Sequence, residues 1–183
     1  GSGRLIVPRY VALLRGVNVG RAKRVPMTAW KASLAALGAT DITTLLNSGN
    51  AVFSHPSRSG SALAVRIQTA LLSDVGVEAP VIVKSAAEMA AIVQGNALAG
   101  ELGDDASRLL VAFAAEHALL QALSPLCDLV QPPEQFVVGD HAAYLWCANG
   151  VLESKAGEAL LGKVGRAVTT RNWATVQKIA ALL

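Results

Sequence analysis

The chain has 183 residues, of which 52% are hydrophobic and 16% charged, and it carries a formal net charge of +3. This length suits one domain or two small ones sharing a core, and the apolar content is enough for a core of that size. The longest apolar runs, such as Leu109–Ala115, are far shorter than the roughly 20 residues that cross a bilayer, which excludes a membrane-spanning protein.

The chain is predicted to be cytoplasmic. Residues 1–3, Gly-Ser-Gly, are typical of a cloning remnant and are left out of the fold prediction. No signal peptide is expected after them, because the apolar stretch Tyr10–Leu14 is short and leads into a basic loop. The two cysteines, Cys127 and Cys147, show no pairing pattern and are expected to be buried structural thiols rather than a disulfide.

Basic charge is concentrated at the two ends of the chain. Residues 1–40 hold seven Lys/Arg and no Asp/Glu, residues 41–154 have a net charge of −8, and residues 155–183 have one of +4. If the two ends meet in space, they form one positive surface that attracts phosphate, carboxylate or nucleic acid. The alternative is a solvated surface with scattered charges.

The first half of the chain is predicted to fold in the order β-α-β-β-α-β. A β-branched apolar run predicts the first strand, and the spacing of Trp30, Leu34 and Leu37 predicts an amphipathic helix that ends at Gly38. The predicted segments are strand 9–15, loop 16–26, helix 28–37, strand 42–46, turn 47–50, strand 51–54, loop 55–60, helix 61–72 and strand 80–84.

A linking helix at 85–94, with Ser85 and Glu88 at capping-box spacing, precedes a second run of the same order. Its predicted segments are strand 108–115, helix 116–126, strands 135–138 and 143–147, turn 148–150, helix 154–161, strand 168–170 and a C-terminal helix 171–182. The predicted fold class is therefore α+β, with two ferredoxin-like β-α-β-β-α-β units whose antiparallel or mixed sheets carry helices. We expect two intertwined halves, 4–94 and 95–183, in one globular unit.

The loop after the first strand is the first candidate site. With the residue before it, the loop reads RGVNVGRAKRVP and contains no acid. Backbone amides near Gly16 and Gly20 are suited to forming a concave nest for an anion. Four basic side chains would neutralise that anion: Arg15, Arg21, Lys23 and Arg24.

The glycine spacing of this loop matches neither a P-loop nor G-x-G-x-x-G, so no nucleotide cofactor is predicted. A plain mobile loop is the alternative interpretation. However, Asn18 stands between Val17 and Val19, and a loop with two valines is more often packed down than mobile. The sequence therefore favours an ordered, functional loop.

The second candidate site is the predicted start of the last helix. Thr169 or Thr170 is a suitable N-cap, which would place Arg171 and Asn172 in the first turn beside free backbone amides. A cation at a helix N-terminus opposes the macrodipole, so Arg171 requires a carboxylate partner or a ligand. Trp173, by contrast, begins an i, i+3, i+6 stripe that favours core packing over ligand binding.

The turn Ser48-Gly49-Asn50 is the third candidate. A hairpin turn explains these residues sufficiently, and they become part of a site only if they face the other two stretches. Because the first and third strands of such a sheet are neighbours, the loops at their ends are expected to lie close together.

No metal site is predicted. The three histidines lie far apart in the chain without cysteine or carboxylate at ligand spacing. Cys147 has no basic neighbour in the sequence that would lower its pKa, and it is expected to be inert. The histidines are His55, His117 and His141.

Four motifs resemble the bacterial family catalogued as domain of unknown function 1697: RYVALLRGVNVG at 9–20, VPM at 25–27, LNSGN followed by VF at 46–53, and TRNWATVQK at 170–178. The resemblance implies two intertwined ferredoxin-like halves and no established reaction. Arg21 departs from the second glycine often expected after Gly20. The characteristic polar residues that the resemblance implies are Arg15, Asn18, Lys23, Ser48, Asn50, Arg171 and Asn172, supported by Gly16, Gly20, Gly49 and Trp173.

Three functions are consistent with these features. The favoured one is binding of a small phosphate- or carboxylate-bearing ligand between the loop, the 48–50 turn and the start of the last helix. The second is binding of a nucleic-acid backbone, which is less favoured because aromatic content is 4% and no RNP-like run is present. The third is a non-catalytic interaction or oligomerisation module. The motifs name no cofactor, reaction or oligomeric state.

Overall fold

A computed structural model of the chain describes residues 7–19, 23–46, 48–100 and 105–183. The chain divides into two compact units. The first runs to Ala87 and includes Leu182 and Leu183, and the second is Glu88–Ala181. Each unit contains one four-stranded antiparallel sheet with helices, so the predicted α+β class with two ferredoxin-like units is confirmed.

The first unit has the predicted order of elements. Its strand order, β2-β3-β1-β4, places the first and third strands side by side at the centre of the sheet. The elements are β1 (Arg9–Leu14), α1 (Met27–Ala36), β2 (Thr40–Leu45), β3 (Asn50–Ser54), α2 (Gly60–Val75) and β4 (Val81–Ser85).

The second unit repeats this topology with the strand order β6-β7-β5-β8. Short 3₁₀ turns at Ala106–Arg108, Ser124–Asp128 and Val151–Glu153 interrupt its connections. The elements that follow the first unit are α3 (Ala86–Gln94), β5 (Leu109–Phe113), α4 (His117–Gln121), β6 (Gln135–Val138), β7 (Ala142–Trp146), α5 (Lys155–Leu161), β8 (Thr169–Asn172) and α6 (Trp173–Leu182).

The core of each unit lies between the sheet and its helices. Alternate residues of a strand point to opposite faces, and in β1 Tyr10, Ala12 and Leu14 face the helices. They pack with Trp30 of α1 and Leu63 of α2. The corresponding core of the second unit contains, among others, Leu110, Ala112, Leu120, Leu145 and Leu160.

Three local predictions are corrected. The helix expected at 116–126 ends at Gln121 and is followed by a 3₁₀ turn, because Pro125 has no N–H and cannot continue an α-helix. The last helix begins at Trp173 rather than Arg171, since the chain remains paired with β5 as far as Asn172. Cys147 is buried as expected, but Cys127 is exposed, and neither forms a disulfide.

Candidate functional site

The β1–α1 loop is closed on itself by Asn18. The backbone N–H of Asn18 donates to the carbonyl of Lys23 at 3.0 Å, and the side-chain Nδ2 of Asn18 donates to the carbonyl of Val25 at 3.0 Å. The N–H of Val25 in turn donates to Asn18 Oδ1 at 2.8 Å. Asn18 has a φ of +56°, a left-handed conformation that asparagine tolerates better than most residues. The side chain of Asn18 therefore holds the loop together.

The ends of this loop are packed down. Val17 and Val25 are buried in the core of the first unit, whereas Val19 is 69% exposed. Gly16 adopts a φ of +69° as the chain leaves β1, and Arg15 donates its backbone N–H to the carbonyl of Pro80 at 3.0 Å. The backbone of the loop is thus anchored at both of its ends.

The 48–50 turn lies directly against the loop. The N–H of Leu14 donates to the carbonyl of Gly49 at 2.9 Å. Gly49 has a φ of +89°, and a Cβ placed on it would lie 2.8 Å from Leu14 Cβ and 3.0 Å from Val17 Cγ2. Only glycine fits this combination of backbone conformation and close contact.

The polar side chains of the turn bond within it. Asn50 is fully buried, and its Nδ2 donates to the carbonyl of Leu45 and to Ser48 Oγ, both at 2.9 Å. Buried amides require such partners, because an unsatisfied one costs about 1–3 kcal/mol. These bonds give Asn50 and Ser48 a structural task in fixing the hairpin.

The described cationic side chains of the loop differ in exposure. Lys23 and Arg24 are exposed, and Arg15 is half-buried at the end of β1. Lys23 has a φ of +52°, so its backbone is held in a conformation that is uncommon for lysine. Two residues of the predicted loop site, Gly20 and Arg21, lie outside the described residues.

The segment 170–173 differs from its prediction. Thr170, Arg171 and Asn172 belong to β8, so neither Thr169 nor Thr170 is the N-cap that the sequence predicted. Asn172 takes that role, because its Oδ1 accepts from the N–H of Thr175 at 2.9 Å. Trp173 is buried at the start of α6, which agrees with the packing interpretation.

Arg171 is a buried cation. Only 8% of the residue is exposed, and its Nη1 donates to the carbonyl of Thr170 at 3.0 Å. Burial lowers the pKa of the Arg171 guanidinium to about 10, since desolvation disfavours the charged form. Arg171 stands opposite Val111 of β5, on the sheet face away from the core that contains Leu110 and Ala112.

Lys84 is a second buried cation, and the sequence did not indicate its burial. This lysine of β4 is 7% exposed and stands opposite Val11 of β1, just as Arg171 stands opposite Val111 of β5. A lysine at the end of an apolar strand is usually solvent-exposed, so its burial had no local signal. Only the repeated topology relates it to Arg171.

The structure brings two of the three predicted segments together, namely the loop and the 48–50 turn of the first unit. Residues 170–173 lie in the second unit, and the convergence of all three segments stays a prediction. Among the described residues, no three His, Cys, Asp or Glu side chains are grouped closely enough to share a metal ion.

A family model described as a protein of unknown function, DUF1697, matches residues 7–144. The chain belongs to this family. The match includes the β1–α1 loop and the 48–50 turn of this DUF1697 protein and ends within β7.

A solved structure with the same architecture is that of the conserved bacterial protein SP0830 from Streptococcus pneumoniae. It superposes on the DUF1697 chain with a TM-score of 0.74 at 21% identity, covering 97% of this chain and 99% of the other. At this identity the likeness establishes the fold alone. No curated protein matches the chain. Within the described residues, no helix is both long and apolar enough to span a bilayer.

Proposed function

We propose that the protein binds a small anion carrying phosphate or carboxylate groups at the β1–α1 loop. Arg15, Lys23 and Arg24 would supply the positive charge. The observation that carries the proposal is the closure of the loop by Asn18, which holds Lys23 and Arg24 exposed on a fixed backbone.

Charge supports the proposal. The loop has no acid, and the first acidic residue of the whole chain is Asp41. Guanidinium and ammonium groups bind phosphate and carboxylate through charge-assisted hydrogen bonds, which are stronger than bonds between neutral groups. A loop with basic side chains and no acid therefore favours an anion over a neutral ligand.

Preorganisation is the second support. Binding costs less when side chains and backbone are already ordered, because less conformational entropy is lost. The three Asn18 bonds and the packing of Gly49 against Val17 hold the two described ends of the loop in place without any ligand. A mobile loop of the same composition would bind the same anion more weakly.

Thermal unfolding in the presence of inorganic pyrophosphate or citrate tests the proposal, with sodium chloride at matched ionic strength as reference. A hundredfold excess over Kd is expected to raise the melting temperature by about 5–10 °C. The double variant Lys23→Ala/Arg24→Ala is expected to fold normally and to lose most of this rise.

The matched control is Lys163→Ala/Arg166→Ala, which removes two exposed cations from the second unit. This control is expected to keep the full rise. An equal loss in both double variants would show non-specific charge attraction and contradict a loop site. Stabilisation by polyuridylate that exceeds stabilisation by pyrophosphate and falls steeply with salt would favour the nucleic-acid alternative.

A further inference from the structure

A cavity of about 420 Å³ lies wholly within the second unit. It is formed where the end of α3 meets the turn between β6 and β7, and the ring of Tyr144 on β7 lies between these two walls. The residues that line it are Ala91, Gln94, Gly95, Gly139, Asp140, His141 and Tyr144.

The hydroxyl of Tyr144 offers this cavity an acceptor. The residue is 2% exposed, and its Oη donates to the carbonyl of Ile92 at 2.6 Å. A phenol has one proton, so once that proton is donated only lone pairs remain for another partner. Burial raises the pKa of Tyr144 to about 12, so the phenol keeps its proton well above neutral pH.

The end of α3 adds negative potential to the same cavity. The last carbonyls of a helix lack intrahelical partners, and the macrodipole places about half a negative charge at this end. The N–H of Gly95 satisfies the carbonyl of Ala91 at 2.8 Å, and the N–H of Asn96 lies 3.4 Å from the carbonyl of Val93. The carbonyls of Ala91, Ile92 and Val93 therefore each accept a hydrogen bond within the unit, and the end of α3 contributes the negative end of its dipole to the cavity.

Asp140 supplies a full negative charge on the opposite wall. Its backbone carbonyl accepts from Nδ1 of His117 at 2.9 Å, and with this tautomer Nε2 of His117 faces Gln121 Nε2 at 3.4 Å. The contact with α4 holds the β6–β7 turn in position. Among the described residues that line the cavity there is no lysine or arginine.

Two glycines keep backbone close to Tyr144 on both sides. A Cβ on Gly95 would lie 3.0 Å from the carbonyl oxygen of Ala91 and 3.2 Å from Tyr144 Oη. A Cβ on Gly139 would lie 3.1 Å from the carbonyl oxygen of Ala142 and 3.2 Å from Tyr144 Cε2. Side chains at either position would crowd the groups that accept hydrogen bonds.

We propose that this cavity binds a small organic cation through a primary ammonium or guanidinium group. The cation would donate hydrogen bonds to the Asp140 carboxylate and to Tyr144 Oη, beside the negative end of the α3 dipole. Such a ligand matches the cavity because every one of these groups accepts and none of them carries positive charge.

The test is a titration of the ¹⁵N-labelled full chain with butylammonium chloride, followed by amide chemical shifts. Tetramethylammonium chloride is the matched probe, because it has the same charge but no N–H donor. Butylammonium is expected to shift the amides of Gln94, Gly95 and 139–141, while tetramethylammonium at the same concentration shifts them much less.

Asp140→Asn is expected to weaken butylammonium binding about tenfold, since it replaces a charged acceptor by a neutral one. The control Asp128→Asn removes an exposed carboxylate elsewhere in the second unit and should leave the dissociation constant unchanged. Butylammonium shifts that miss these amides, or that persist with equal affinity in Asp140→Asn, would overturn the proposal. Equal shifts with tetramethylammonium would overturn the hydrogen-bonding part of it.

Discussion

The two units share one strand order but differ in the connection that follows their first strand. In the first unit this connection runs from residue 15 to 26, and in the second it runs only from residue 114 to 116. Both short and long connections satisfy the same sheet, so the fold does not require the longer one. Extra chain that a fold does not need, placed on a rigid scaffold, is where binding residues are usually found.

The two units also share a feature that the sequence hides. Lys84 and Arg171 occupy matching places on the edge strands β4 and β8, each opposite a valine of the central strand and each almost fully buried. Burying a cation is costly unless hydrogen bonds compensate for the lost hydration. A buried cation at the same strand position in both units therefore indicates that the two sheets have a similar environment on this face. The units are therefore similar in their sheets and different in their loops.

The largest expected effect breaks the contact between turn and loop. Gly49→Ala is expected to destabilise the protein by about 3 kcal/mol, because it combines an unfavourable φ with overlap against Leu14 and Val17. Gly76→Ala is the control, because Gly76 has a left-handed backbone with φ +75° and ψ +18° and open space around its Cβ, and the substitution should cost about 1 kcal/mol. Urea unfolding measures both, and equal losses would mean that Gly49 is not tightly packed.

A second effect, of similar size, is a loss of folding stability at high pH that is caused by Tyr144 of the second unit. Folding raises the pKa of Tyr144 from 10.0 to about 12, so the unfolded chain loses this proton first. The contribution of the neutral phenol to the free energy of unfolding is fully present below pH 10. This contribution falls by about 3 kcal/mol as the pH rises to 12.

Absorbance of tyrosinate near 295 nm follows this titration. The native protein should show a phase near pH 12 that is missing in Tyr144→Phe, and in denaturant all tyrosines should titrate near pH 10. A native titration that is complete by pH 10.5 would show that Tyr144 is not held in a desolvated site.

A smaller effect compares two asparagines, one in each unit. Asn18→Gly keeps the left-handed backbone accessible and removes both side-chain bonds to Val25, so it is expected to cost about 2 kcal/mol. Asn172→Ala removes one N-cap bond to Thr175 and should cost about 1 kcal/mol.

Limited proteolysis distinguishes the two variants further. Asn18→Gly should open a cleavage site within residues 15–26, whereas Asn172→Ala should leave that loop as resistant as in the wild type. Equal resistance in all three proteins would mean that Asn18 does not hold the loop.

Much of the fold could be predicted because its signals are local. The run RYVALL, with its apolar and β-branched residues, indicated β1, and glycine with serine and asparagine indicated the 48–50 hairpin. The repeated order of elements then identified the ferredoxin-like units. These signals depend on side-chain periodicity and turn chemistry, which a single sequence records.

The start of α6 could not be read in the same way. The sequence predicted Thr169 or Thr170 as the N-cap, but asparagine is an equally good N-cap residue, and Asn172 directly precedes the stripe of core residues that begins at Trp173. Pairing with β5 decides between them, because it keeps the chain extended to Asn172. That pairing joins residues about 60 positions apart in the chain, so no local pattern contains it.

The candidate site was predicted by residue type rather than by role. Asn18, between two valines, indicated an ordered loop. Its hydrogen-bond partner Val25 could not be predicted, because that pairing depends on how the loop folds back on itself. Likewise, the burial of Lys84 and Arg171 depends on which sheet face each side chain occupies. Such roles are set by tertiary contacts, and composition alone does not determine them.

The most direct test of an anion site at the β1–α1 loop is an amide chemical-shift titration with inorganic pyrophosphate at low ionic strength. A site at this loop predicts the largest shifts at Val17, Asn18 and 23–25, and their loss in Lys23→Ala/Arg24→Ala with the rest of the spectrum unchanged. Largest shifts around Lys163 and Arg166, or unchanged loop shifts in the double variant, would contradict it.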